Sequence, residues 1–161
     1  MPTVTALAPA RGGRIAVHAD GKPLCVLSAD AVAHASLSVG ATLTSARLAA
    51  LRRQGALEEA LDAARRLLAV RPRSEAEIRQ RLAARRMPAS AVSGAIAHLK
   101  QRGLLDDEAF ARWWRESRQA SRPQSARQTE RELRQKGLGE DAAREAVSGV
   151  DDAEAAYAAA R

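Results

Sequence analysis

The first 28 residues carry the alternating apolar and polar pattern of short β-strands. Apolar side chains occupy every second position over residues 4–8, recur at Ile15 and Val17, and form a continuous run from Leu24 to Leu27. An Asp-Gly pair at residues 20–21 separates the last two segments and is typical of a hairpin turn. The Lys-Pro that follows it predicts a loop longer than two residues. We therefore expect a small antiparallel sheet, which needs helices packed on it to be stable.

After this segment the apolar spacing becomes helical. A short helix is predicted from Ser28 or Ala29 to His34, and Thr44 is a suitable N-cap for a second helix that ends at about Gln54. Apolar positions three and four residues apart then predict a separate helix from Leu57, which ends before Pro72. Helices are therefore expected to follow the sheet and to form the rest of the chain.

The region after Pro72 predicts two more helices. Ser74 and Glu77 have the spacing of a capping box, in which each side chain accepts a hydrogen bond from a free backbone N–H at the start of a helix. This helix is predicted to end at about Arg86. Pro88 permits a third helix, which ends near Gly103. Three helices thus make up one unit.

The same unit recurs after a shift of 51 residues. A fixed period with matching helix boundaries indicates tandem copies of one supersecondary unit. Even the capping box returns, as Ser125 and Gln128. The matched positions include Arg71 with Arg122, Pro72 with Pro123, Leu82 with Leu133, Ala91 with Ala142 and Ala95 with Ala146.

The predicted fold is mainly α, with tandem three-helix repeats behind a small N-terminal β-hairpin or antiparallel sheet module. Two repeats are expected to be complete, and a third is expected to be truncated, because Asp151-Asp152 resembles the start of the second copy at Asp106. The predicted divisions are 1–55 for the N-terminal hairpin and helix module, 56–104 for the first repeat, 105–150 for the second repeat and 151–161 for the start of the third.

Composition and charge point to an anionic partner for the middle of the chain. Of the 161 residues 38 are Ala and four are aromatic, which predicts a thin helical core. The net charge is +7, and it is uneven. Residues 52–136 carry twenty basic and eleven acidic side chains, whereas residues 137–161 carry two and six. An anionic partner should therefore meet the central segment.

The sequence offers little for catalysis or for a metal. Cys25 is the single cysteine, and His18, His34 and His98 are not at metal-ligand spacing. The acidic run at 106–108 could hold Mg²⁺, but it also fits a helix N-cap with acids in the first turn. No glycine-rich phosphate loop and no apolar run near the roughly 20 residues of a membrane span occur. We expect a cytoplasmic protein that is not an enzyme and has no cofactor.

An aromatic stripe and a basic face mark the second repeat. Phe110 and Trp114 are expected to be buried and Trp113 to be partly covered, while the alternative puts one Trp at the surface as an interface anchor. Arginines at 127, 131 and 134 share one face of a predicted helix, and those at 112 and 115 are expected to point away from the aromatic stripe. Neighbouring glutamates at 116, 130 and 132 could pair with these arginines, which would make the face merely solvated.

The candidate residues for contact with an anionic partner share a place on the basic faces of the two repeats. They are Arg79, Arg81, Arg85, Arg86, Arg112, Arg115, Arg118, Arg122, Arg127, Arg131, Arg134 and Lys136. Two other functions stay open on this pattern: a helix-turn-helix DNA reader with the 127/131/134 face on its recognition helix, and a metal-dependent nuclease using the acids at 106–108.

Three motifs together resemble the RecX family of bacterial recombination regulators. They are Arg-Pro-Arg-Ser-Glu-Ala-Glu-Ile at 71–78, Gly-Leu-Leu-Asp-Asp-Glu-Ala-Phe-Ala at 103–111 and Arg-Glu-Leu-Arg-Gln-Lys-Gly at 131–137. The resemblance implies a curved array of three-helix repeats that binds the RecA filament, contacts single-stranded DNA through that filament, and suppresses filament growth, ATP hydrolysis and strand exchange. A monomer with no membrane partner is expected. The chain departs from the family in its incomplete third repeat and in the lack of aromatic residues after the Asp-Gly turn.

Overall fold

A computed structural model describes residues 1–150 and 152–160 of the chain. The described residues are mainly helical and carry one three-stranded antiparallel sheet near the N-terminus, which confirms the predicted fold class. Asp151 and Arg161, which the predicted third repeat includes, lie outside the described residues.

The sheet has strand order β1-β2-β3, with β2 in the centre. Ala19 pairs with Lys22, so residues 20–21 alone form the turn, with φ of 49° at Asp20 and 76° at Gly21. The prediction of a longer loop was wrong. Strand β3 lies at the edge of the sheet, where a proline is tolerated, and Pro23 pairs with His18 next to a break in the strand register. The strands are β1 (Val4–Pro9), β2 (Arg14–Ala19) and β3 (Lys22–Ser28).

The helices follow the predicted order, and the N-caps predicted at Thr44, Ser74, Asp106 and Ser125 are confirmed. Ser28, Thr44, Ser74, Asp106 and Ser125 each accept a hydrogen bond from a backbone N–H in the first turn of a helix. The helices are α1 (Ala29–His34), α2 (Ser45–Val70), α3 (Glu75–Ala84), α4 (Ala89–Gln101), α5 (Asp107–Ser121), α6 (Ala126–Gln135), α7 (Glu140–Val147) and α8 (Asp152–Ala159).

One long helix replaces two of the predicted ones. The sequence predicted a helix ending at about Gln54 and another beginning at Leu57, but α2 continues through both positions. Gly55 does not interrupt the helix, because its lack of a side chain lets α2 lie against β3: a Cβ at this position would be 2.7 Å from the Cβ of Cys25. Gly55 is therefore a close-contact residue between α2 and β3. The predicted division between residues 55 and 56 falls inside α2.

The buried apolar side chains form three clusters along the chain. The first joins the sheet to α1 and the start of α2 and includes Val17 and Leu27. The second joins the rest of α2 to α3 and α4 around Leu82 and Leu99. The third lies between α5, α6 and α7 around Leu133. Helix α2 contributes to the first two clusters and thus connects the sheet to the first three-helix unit. The predicted domain divisions stay a prediction.

Polar contacts join the first three-helix unit to the second. The Ser74 hydroxyl, which is fully buried, donates a hydrogen bond to the carbonyl oxygen of Lys136 at 2.6 Å. Asp107 at the start of α5 accepts one from the backbone N–H of Glu75 at 2.8 Å. We call the contacts between residues 74–77 and residues 107 and 136–137 the inter-unit joint.

The second of these contacts recurs further along the chain. Asp152 at the start of α8 accepts a hydrogen bond from the backbone N–H of Ala126 at 2.7 Å, as Asp107 does from Glu75. Helix α8 therefore contacts the start of α6 in the way that α5 contacts the start of α3. The capping box recurs in part: Ser125 accepts a hydrogen bond from the N–H of Gln128, while the reciprocal side-chain bond forms between Ser74 and Glu77 and not at the start of α6.

Candidate functional site

An exposed arginine face lies on α6. Arg127, Arg131 and Arg134 are exposed, on the side opposite the fully buried Leu133. With 3.6 residues per turn, the three guanidinium groups project from a sector of about 60°. They line a shallow depression together with Glu130 and Gln135. The structure thus confirms that this face is exposed to solvent.

The nearby glutamates do not neutralise this face. Glu132 instead accepts hydrogen bonds from Trp114 Nε1 at 2.9 Å, from Arg118 Nε at 2.9 Å and from Gln124 Nε2 at 3.2 Å. Within the part of the chain that the structure describes, none of the three α6 arginines has a carboxylate partner. The sequence places Glu132 directly after Arg131 and could not show that its side chain reaches Trp114 and Arg118 on α5.

The aromatic stripe is a packing element with a polar cover. Phe110 is 1% exposed and lies 5.9 Å from both indole rings between centroids. Trp114 is half-buried rather than buried, which corrects the prediction, because its ring edge reaches Glu132 and its face is covered by cations. The Arg118 guanidinium lies 4.6 Å and the Lys136 ammonium 4.9 Å from the ring centroid, at the distance of cation–π contacts. Trp113 is half-buried, as predicted.

Three of the predicted site residues are engaged in internal contacts. Arg115 is half-buried and donates a hydrogen bond to the carbonyl oxygen of Ala146 at 3.0 Å. Arg118 pairs with Glu132 at 2.9 Å. Lys136 pairs with Glu77 at 3.2 Å across the inter-unit joint. These three side chains therefore stabilise the helical units through internal contacts, and a partner would have to compete with those contacts.

Glu77 is the acidic centre of the joint. Burial alone would raise the pKa of this carboxyl, but hydrogen bonds from Arg71 and Lys136 outweigh burial, so its pKa lies below the ordinary value. The carboxylate therefore stays charged and holds cations from both three-helix units. The sequence identified Glu77 as a capping residue and missed its role between units.

The remaining predicted residues are exposed. Arg79 pairs with Glu75 at 3.2 Å and with the Ser93 hydroxyl at 3.3 Å. Arg86 has a φ of 57°, a left-handed conformation that is costly for a residue with a side chain. The predicted residues without a side-chain partner among the described residues are Arg81, Arg85, Arg86, Arg112, Arg122, Arg127, Arg131 and Arg134.

A second group of exposed arginines was missed from the sequence. Arg52, Arg65, Arg66 and Arg102 line a groove between the sheet and the first three-helix unit, where Arg85 joins them. Their sequence signal is limited to the basic pairs at 52–53 and 65–66, which do not place these arginines on one surface. Only the packing of α2 against both β3 and α4 brings them together.

The acidic residues at 106–108 cap the start of α5 and contact the first three-helix unit. Asp106 accepts hydrogen bonds from the N–H groups of Glu108 and Ala109 at 2.9 and 3.3 Å, and Asp107 is engaged in the inter-unit joint. Residues 1–150 and 152–160 contain no group of three or more His, Cys, Asp or Glu side chains placed to hold a metal ion. Within the same residues, every helix is too short or too polar to cross a membrane.

Two family models match the helical part of the chain. The model described as RecX, first three-helix domain, matches residues 60–99, and the model described as RecX, second three-helix domain, matches residues 106–147. The first match runs from the middle of α2 to near the end of α4, and the second extends from the N-cap of α5 to the end of α7.

Curated relatives give the same result. The regulatory protein RecX of Chlorobaculum tepidum is 35% identical over 107 residues, which cover 66% of this chain and 67% of the relative. The regulatory protein RecX of Thermobifida fusca is 36% identical over 89 residues, which cover 55% of this chain and 48% of the relative. The match thus spans about half the length of the second relative.

A solved structure shares the fold. The crystal structure of a regulatory protein RecX aligns with a TM-score of 0.77 at 22% identity and covers 97% of this chain and 79% of its own. The alignment includes the N-terminal sheet as well as the helices, because it covers nearly the whole chain.

Proposed function

This chain belongs to the RecX family, and from that membership we propose that it binds the RecA recombinase and its filament on single-stranded DNA. Binding limits filament extension, ATP hydrolysis and strand exchange in DNA repair and recombination. The protein acts by occupying a surface and by bridging neighbouring subunits, without chemistry of its own.

The observation that supports this proposal best is the unpaired arginine face of α6. Three guanidinium groups point to solvent from one helix, and Glu132, one of the glutamates near them in the sequence, is held by Trp114 and Arg118. Arginine forms paired hydrogen bonds with carboxylates and phosphates, so this face suits either acidic protein or DNA in a filament groove.

The inter-unit joint supports the same proposal. A binding surface that spans two three-helix units needs a fixed angle between them, because loose units would lose entropy on binding. The bonds of Ser74 and Glu77 to residue 136 fix that angle. The exposed arginines of α3 and α6 are therefore presented together.

The test adds the purified chain to RecA filaments on single-stranded DNA and follows ATP hydrolysis and filament length. We expect the chain to lower both at stoichiometric amounts. The variant Arg127→Glu/Arg131→Glu/Arg134→Glu should weaken this inhibition strongly and keep its helical circular dichroism, because the face is exposed.

A matched control reverses three charges elsewhere. Lys22→Glu/Arg53→Glu/Arg144→Glu changes the net charge equally at exposed positions outside the α6 face. It should retain most of the inhibition. Equal loss in both variants would show that only net charge matters, and no inhibition by the unaltered chain would refute the proposed function.

A further inference from the structure

A groove separates the N-terminal sheet from the first three-helix unit. It encloses about 1500 Å³ between β3, the residues before β2, α2 and the turn between α3 and α4. Six exposed arginines line it from both sides: Arg11, Arg52, Arg65, Arg66, Arg85 and Arg102. The feature belongs to no repeat, because half of its wall comes from the sheet and from the N-terminal half of α2.

The carboxylates in the groove are largely engaged. Asp62 accepts a hydrogen bond from Arg14 at 2.8 Å, and Glu58 accepts one from the backbone N–H of Ser28 at 2.6 Å. Arg14, whose side chain is only 17% exposed, therefore forms ion pairs with both of these carboxylates, which lie near the six arginines. Of those six, only Arg65 comes within ion-pair distance of a described carboxylate, at 4.0 Å from Asp62.

Two acids in the groove stay outside ion pairs among the described residues. Asp30 and Glu59 are both exposed. Six exposed guanidinium groups thus face two unpaired carboxylates, which leaves the groove cationic. A polyanion that entered it would replace weakly held counterions rather than break internal salt bridges.

The chemistry of the lining favours phosphate over bases. The cations that line it are arginines, and arginine matches phosphate with two parallel hydrogen bonds. None of the lining residues is a Trp, Tyr or Phe that could stack on a base. From these observations we propose that the groove binds the phosphodiester backbone of a nucleic acid strand directly, without preference for sequence.

The geometry of α2 gives the direction of the strand. Arg52 and Arg66 are 14 residues apart, which corresponds to about 21 Å along the helix and to nearly the same face. That distance exceeds the separation of adjacent phosphates several-fold, so one strand following α2 would meet both arginines. Glu59 lies midway between them on the same face and should oppose binding. This proposal goes beyond the RecA interaction, since it requires no RecA.

The test measures binding of the full chain to a labelled single-stranded oligonucleotide, and to the duplex of the same sequence, by fluorescence anisotropy over a salt series without RecA. The variant Arg52→Ala/Arg66→Ala removes two groove cations. Its control, Lys22→Ala/Arg53→Ala, removes two exposed cations outside the groove, and Arg53 is the sequence neighbour of Arg52.

The groove variant should lower both affinity and salt dependence. Each phosphate contact to a single strand contributes about 0.7 to the slope of log affinity against log salt, so two lost contacts should reduce the slope by about 1.4. At about 0.1 M salt this corresponds to roughly 25-fold weaker binding. The control variant should keep the slope of the unaltered chain, and Glu59→Gln should bind more tightly.

Several results would overturn the proposal. If the groove variant and its control lose the same amount of oligonucleotide affinity, binding depends on net charge and not on the groove. If a polyglutamate peptide of the same charge binds as tightly as the oligonucleotide, the groove is a site for acidic protein and not for a nucleic acid. A strong preference between two unrelated oligonucleotides, or unchanged affinity in Glu59→Gln, would contradict a backbone contact along α2. If neither strand form binds while RecA inhibition persists, this inference fails and the proposed function stands.

Discussion

Substitution of Gly137 by Ala tests whether the inter-unit joint is a rigid contact. Gly137 has a φ of 89°, and a Cβ at this position would overlap the Cβ of Ala76 in the neighbouring unit. The left-handed conformation costs Ala about 1–2 kcal/mol. The overlap adds about 1–3 kcal/mol, because close-packed neighbours must move. We expect Gly137→Ala to lower the free energy of unfolding by about 2–5 kcal/mol.

Gly103→Ala provides the matched control. Gly103 has a φ of 67°, but no atom lies within 4 Å of a Cβ built there, so this variant should lose only the conformational part. Urea unfolding followed by helical circular dichroism measures both variants. The pair Ala76→Gly/Gly137→Ala removes the overlap and should recover the difference. If Gly137→Ala destabilises the chain no more than Gly103→Ala, the two units are not in rigid contact and the argument fails.

Three further predictions concern the same region. Arg86→Gly should raise the free energy of unfolding by about 0.5–1 kcal/mol in thermal unfolding, because Arg86 occupies the left-handed region at the end of α3 where α6 has Gly137; destabilisation would contradict this. Ser74→Ala should lower the free energy of unfolding by about 2–3 kcal/mol and Ser125→Ala by about 1 kcal/mol, as measured by urea unfolding. Both variants lose a helix cap, but Ser74 also donates a hydrogen bond to the second three-helix unit. Equal losses would argue against the inter-unit joint. Because the pKa of Glu77 is lowered by its partners, its stabilisation is complete above the ordinary Glu pKa and is lost as pH falls through the folded-state pKa. Glu77→Gln should lack this acid-side loss when stability is measured against pH, and an unchanged profile would refute the assignment.

Local sequence rules recovered most of the elements and their starts. Ser74, Asp106 and Ser125 were predicted as N-caps because a cap depends on a few adjacent residues, and the structure confirms all three. Where a prediction failed, a distant contact decided the outcome. Helix α2 continues through Gly55, where it lies against Cys25, and Trp114 is half-buried because its indole N–H reaches Glu132 on α6.

The candidate site was predicted less completely than the fold. The arginine face of α6 follows from spacing along one helix, so the sequence alone identified it. The groove follows from α2 packing against β3 and α4, which are far apart in the sequence, and no spacing rule joins Arg52 to Arg102. Likewise, Glu132 was one of several equivalent glutamates until its contact with Trp114 distinguished it.

The amino-acid sequence by itself determined the helical repeat, its period, its caps and the basic character of the central segment, because each depends on residues within one or two helical turns or on a simple count of charges. Tertiary structure decided which charges are available to a partner. Arginines that no local pattern distinguishes differ in this respect, since Arg14 and Arg118 are paired while Arg52 and Arg127 face solvent. The physical reason is that ion pairing and burial depend on distances between elements, which local sequence does not specify.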